Sequence, residues 1–172
     1  MVISVGEPRD DVDEVVAAWR RERPDLDPDP MQVMSRISRL GRRLHQQRSR
    51  TFAEHDLDGW EFDVLSTLRR TGPPYTLSPG ELVRATLVTS GTMTNRIDRL
   101  VARGWVARSP SPTDRRGVLV TLTDDGRQVV DAALSDLLDR EREILAILSG
   151  EDQAGLARLL RRVLAPLEPD QK

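Results

Sequence analysis

Between Ser78 and Thr123 the chain packs more helix and strand boundaries into a short span than anywhere else, and their order restricts the fold most. The stretch "SPGELVRA" has Ser78 as a helix cap, Pro79 at the first helical position and Glu81 completing a capping box. Proline lacks an N–H that the first turn would leave unsatisfied anyway, so the start is sharp and the helix very short. After a tight connection, "VTSGTMTNRIDRLVARG" sets Met93, Ile97, Leu100 and Val101 on one helical face. Ser90, Thr92, Thr94, Asn95 and Arg99 fall largely on the other faces. Gly104 then stands where a helix C-terminus favours a left-handed residue. Two short runs, Trp105–Ser109 and Val118–Leu122, read as strands flanking an eight-residue loop.

The remainder reads as helix. Val12, Val15, Val16 and Trp19 recur at i, i+3, i+4 and i+7, a stripe on a helix that Pro24, Pro28 and Pro30 bring to an end. About a dozen residues make a marginal helix in water, so this one needs a surface to dock on. A long helix follows, with Asp29 as its expected cap, Pro30 in the first turn and Gln32 in the capping-box position. Its apolar residues are Val33, Met34, Ile37, Leu40 and Leu44, with arginines opposite. Asp58 is expected to cap a helix to about Arg70, stopped by Gly72-Pro73-Pro74. Thr123 caps a long helix to about Leu148, and Ser149 with Asp152 opens the last. The expected fold class is mainly α with a small β-hairpin.

A short helix, a tight connection and a second helix make a helix-turn-helix, and a hairpin directly after it makes a wing. The second helix of such a motif enters the DNA major groove with its N-terminal residues toward base edges. Ser90, Thr92, Thr94 and Asn95 are short donors and acceptors suited to that task. Charge agrees. From Arg84 to Arg116 seven arginines face two acids, Asp98 and Asp114, a net +5 in a chain whose total is −2, leaving −7 elsewhere. In "SPSPTDRRGVLVTLT" the doubled Arg115 and Arg116 stand at the hairpin tip, where a guanidinium reaches a phosphate or a narrow minor groove. Asp114 beside them can restrain one of the two. All but one of the 26 basic residues are arginine, so the hairpin alone also fits a solvated loop. The candidate set for double-stranded DNA is Ser78, Ser90, Thr92, Thr94, Asn95, Arg99, Asp114, Arg115 and Arg116.

Other classes are harder to support. The chain has no cysteine, which removes disulfides, thiolate metal sites and cysteine nucleophiles. His45 and His55 are ten residues apart, not at the i, i+4 spacing of a metal pair, and no GxGxxG or phosphate-binding loop occurs. No catalytic residue, metal or cofactor is expected. The start "MVISVGEPRDD" lacks an apolar signal core and no window approaches 18 apolar residues, so a soluble cytoplasmic protein without a membrane partner is expected. A winged helix that binds protein rather than DNA is the competing class, and it predicts little salt dependence.

The same residues resemble a known family. "DRRGVLVTLT" is similar to the wing signature of the MarR family of bacterial regulators, through Asp114, Arg116, Val120, Leu122 and Thr123. "LVTSGTMTNRIDRLVARGWV" resembles that family's recognition helix and following strand. The resemblance runs from Met31 onward and implies a winged-helix homodimer on pseudo-palindromic DNA, usually a repressor released by a small ligand. It divides the chain into an extra N-terminal helix and linker (1–30), a first dimerisation helix (31–56), the DNA-binding domain (57–123) and C-terminal dimerisation helices (124–172). A urate-responsive branch of the family has such an extra helix. By resemblance its ligand residues match Trp19, Asp63, Arg96 and Arg108, for urate, a related purine or a small polycarboxylate. In that scheme Asp63 restrains Arg96, and the ligand's charge on Arg108 repels Asp63. Taken singly, Trp19 equally completes an apolar stripe, Asp63 is a surface carboxylate, and Arg96 and Arg108 fit phosphate contacts.

Overall fold

Five of the described helices start where a side chain accepts an orphan N–H. In the computed structural model, which describes residues 9–112, 114 and 117–167, the order is α1 (Asp11–Glu22), α2 (Pro30–Ala53), α3 (Gly59–Arg69), β1 (Thr76–Leu77), α4 (Pro79–Thr86), α5 (Ser90–Ala102), β2 (Val106–Pro110), β3 (Val118–Leu122), α6 (Asp124–Leu145) and α7 (Gly150–Leu164). A single 3₁₀ turn, Ala165–Leu167, follows. The chain divides into two compact units, residues 1–50 and 51–172. No described helix is long and apolar enough to cross a membrane.

In the first unit Val12 and Val16 of α1 are buried, while Val15 and Trp19 of the same stripe stay partly exposed. Arginines of α2 hold the N-terminus of α1. Arg36 donates to Asp10 at 2.9 and 3.0 Å and to Asp13 at 2.9 Å, and Arg39 donates to Asp11 at 2.8 Å. The box expected at the start of α2 is replaced by other bonds. The Asp29 carboxylate pairs with Arg20, and the Gln32 amide oxygen accepts from Arg36 at 2.6 Å. Both side chains are drawn to a stronger charged donor than a backbone N–H.

In the second unit α4 begins as the sequence predicts. The Ser78 N–H donates to Glu81 at 2.7 Å and the Glu81 N–H donates back to the Ser78 hydroxyl at 3.3 Å. Three residues then turn the chain. Leu87 adopts φ +54°, an uncommon conformation for a branched side chain, and stands 88 % exposed; Thr89 caps α5. Along α5, Met93, Ile97 and Leu100 are buried as expected, but Val101 lies at the edge of the face and is exposed. Gly104 takes the expected left-handed φ, +73°.

The hairpin is part of a larger sheet than the sequence indicates. β2 and β3 pair antiparallel with Arg108 opposite Val120, and β1 adds to the free edge of β3, with Thr76 opposite Thr121, giving the order β1-β3-β2. A two-residue strand carries too little periodicity to read in advance. The sheet buries Val106, Val120 and Leu122 against a core with Phe62, Leu65 and Leu68 of α3, Leu82 of α4 and Val130 of α6. Gly126 in the first turn of α6 lies so close to the Trp105 carbonyl that a Cβ there would come within 2.1 Å of its oxygen. Glycine is therefore what allows α6 to leave directly beside the wing. α6 ends at Leu145, three residues before the expected Leu148, and α7 has no buried residue.

Candidate nucleic-acid interface

The first two turns of α5 carry the polar set. Ser90, Thr92, Thr94 and Asn95 are all exposed. The Thr92 N–H donates to the Thr89 hydroxyl at 3.3 Å, and the Thr94 hydroxyl donates to the Ser90 carbonyl at 3.1 Å. The Asn95 side chain has no hydrogen-bond partner among the described residues. Ser78 lies outside this row, its hydroxyl engaged with Glu81 at 2.7 Å. That bond and the Ser78 N–H hold the Glu81 carboxyl below its ordinary range.

α3 supports this row from behind through Trp60, a residue that periodicity did not single out. The Arg99 guanidinium carbon lies 4.7 Å from the Trp60 ring centroid and that of Arg96 lies 5.5 Å away. The indole N–H donates to the Asp58 carboxylate at 3.0 Å, and Arg99 approaches the same carboxylate at 3.7 Å. Trp60, Gly91, Thr92, Asn95, Arg96 and Arg99 line an open cavity of about 430 Å³. Asp58 fixes the ring, and the ring gives two arginines a surface on which to lie. Its sequence signal is weak, because a tryptophan in the first turn of a helix is more often part of the core.

The far end of α5 is anchored by a buried charge. Glu61 is 1 % exposed and accepts from Arg103 at 3.0 and 3.1 Å; its other role is to accept the Asp58 N–H at 2.8 Å. Arg103 also bonds Asp56 and lies 3.6 Å from the Trp105 ring centroid. One arginine thus joins the start of α3 to the junction of α5 and the wing.

At the wing, the Asp114 N–H donates to the Ser111 hydroxyl at 3.3 Å and its carbonyl accepts from Gly117 at 2.9 Å. Arg115 and Arg116, which the sequence places at the tip, lie outside the described residues, as does any pairing of Asp114 with them.

The four residues matched to an effector divide between the units. Trp19, in the first, is 48 % exposed and lines a largely apolar pocket of about 260 Å³ with Leu26, Pro28, Pro30 and Met31. Asp63, Arg96 and Arg108 belong to the second. The expected restraint of Arg96 by Asp63 is absent among the described residues. Arg96 lies on Trp60 instead, and the Asp63 side chain points to solvent while its carbonyl accepts from Thr67 at 2.7 Å. The pair that does form is Arg108 with Asp98, at 2.5 Å. His55 has its Nε2 2.8 Å from the Asp136 carboxylate.

Comparison with known proteins agrees with this architecture. A profile described as the MarR family matches residues 55–117. The regulator PecS of Dickeya dadantii is 40% identical over 153 residues, which cover 89% of this chain and 92% of the relative. The multiple antibiotic resistance protein MarR of Escherichia coli is 34% identical over 140 residues, covering 77% and 95%. Among solved structures, a mutant of that MarR in complex with operator DNA is similar with TM-score 0.60 at 30% identity, covering 85% of this chain and 97% of that one. Sco3205 of Streptomyces coelicolor shares the fold with TM-score 0.73 at 24% identity, covering 85% and 92%.

Proposed function

Because the chain belongs to the MarR family, whose matched relatives are named transcriptional regulators and not enzymes, we propose that it is a repressor that binds pseudo-palindromic operator DNA as a homodimer and is released by a small anionic effector. The observation that carries this reading is the exposed row Ser90, Thr92, Thr94 and Asn95 at the N-terminal end of α5, flanked by arginines laid on Trp60. Hydroxyls and an amide read base edges, while guanidiniums meet phosphates.

A two-fold operator calls for a two-fold protein. α2 leaves Val33, Met34, Ile37 and Leu40 partly exposed, and α7 leaves Leu156, Leu159, Leu160 and Val163 so. Rows of this length on a regulator are what a second copy covers. For the effector, urate or a related purine, Arg108 is the cation that a planar anion would pair with.

Titration of the protein against labelled duplexes at several salt concentrations tests the DNA reading. Affinity should fall steeply with salt, and Arg99→Gln should weaken binding to all sequences and lower the salt slope by about one. Asn95→Ala should alter preference between sequences instead. An affinity indifferent to salt would overturn this reading in favour of the protein-binding winged helix.

A further inference from the structure

Arg108 stands on the first wing strand, yet its contacts are with the recognition helix. One guanidinium nitrogen lies 2.5 Å from the Asp98 carboxylate and another donates to the Thr94 carbonyl at 3.5 Å. Thr94 and Asp98 are one helical turn apart, so a single side chain grips one turn of α5 and ties it to β2. The side chains of Arg108 and Asp98 are 37 % and 57 % exposed, within reach of a dissolved anion.

A guanidinium offers its donors as a rigid planar fork, and a carboxylate or a planar anion takes the same edges of that fork. Asp98 and an incoming anion therefore compete for one cation. We propose that Asp98 is a built-in stand-in for the effector. It holds Arg108 when the ligand is absent and keeps α5 aligned with the wing. A ligand that takes Arg108 must displace it and so releases the helix. This rests on the reading that an anionic effector binds at Arg108. It moves the restraint on α5 from Asp63 and Arg96, which are not paired, to Asp98 and Arg108. Since one cation serves both states, ligand and DNA oppose each other through it, and by linkage DNA lowers affinity for the ligand.

The test uses the full chain and Asp98→Asn, which keeps the shape and removes the charge. Urate is the probe in calorimetric titration, and a duplex selected by the wild type from a random pool is the probe for DNA. Asp98→Asn should bind urate about tenfold more tightly and DNA about tenfold more weakly, with Asp98→Glu restoring both in part. Simple electrostatics expects the reverse for DNA, because removing a negative charge beside a polyanion strengthens binding. A DNA affinity that is unchanged or higher in Asp98→Asn overturns the tether. Urate binding that Arg108→Ala abolishes but Asp98→Asn leaves unchanged overturns the competition. No urate heat from either protein rejects the effector reading and the competition with it, while the DNA arm still decides the tether.

Discussion

Arginine is used in opposite ways in the first unit of this protein and on α5, against Trp60. In the first, Arg20, Arg36 and Arg39 are each committed to aspartates within the same unit. On the recognition helix, Arg96 and Arg99 rest on the face of Trp60. A carboxylate consumes the in-plane donors of a guanidinium, whereas an aromatic face contacts it from above and leaves those donors directed outward. Similar side chains therefore give a neutralised surface in one place and, at Arg96, an available cationic one in the other; Arg99 stands between, with Asp58 3.7 Å away. The net charge of a segment does not separate the two cases; the partner does.

The contrast is sharpest where a carboxylate is buried, and the largest effect is expected there. Arg103→Ala leaves Glu61 in the core without its cation and should cost about 3 kcal/mol, toward the low end for a broken buried pair because Arg103 is itself partly exposed. Thermal or urea unfolding measures it. A loss no larger than that of a surface ion pair would mean that Glu61 is satisfied by other groups.

A smaller and more selective effect is expected at the aromatic platform. Trp60→Ala should weaken DNA binding by about tenfold, near 1.4 kcal/mol for two stacked cations, and Trp60→Phe should recover most of it. The indole's bond to Asp58 would be lost in both, so recovery in the phenylalanine variant separates the ring face from the N–H. If the two variants behave alike, the N–H to Asp58 orders the arginines and the π-face does not.

The smallest effect lies in the first unit. The Asp13 carboxyl is held below its ordinary range by the Asp10 N–H and by Arg36. A depressed carboxylate adds stability that is present above the ordinary carboxylate range and is lost as the pH falls through its folded value. Arg36→Gln removes one of the two causes. It should flatten the acid side of the stability profile slightly and leave DNA affinity and its salt slope as in the wild type. A change in the salt slope would show that this arginine, too, faces DNA.

Much of the fold was legible because it is written locally. The box of Ser78 and Glu81, the caps Thr123 and Ser149 and the left-handed Gly104 all depend on residues within one turn of each other. The buried row Met93, Ile97 and Leu100 follows from helical period alone. The exposed polar row opposite it is the complement of that period, so its exposure was legible too. The start of α2 marks the limit of such reasoning. Asp29 and Gln32 have the right spacing for a box, but Arg20 and Arg36 claim them. Sequence spacing does not price a competing charge.

The sequence by itself determined the order of elements, the turns and which face of each helix is apolar, because backbone hydrogen bonding and side-chain period act over a few residues. Only the tertiary structure decided the third strand and the pairings that link elements: Trp60 under Arg96 and Arg99, Arg103 on Glu61, and Arg108 on Asp98 and not near a paired Asp63. Those partners lie between 10 and 42 positions apart, and a charge selects among them by distance in space, which no local period encodes.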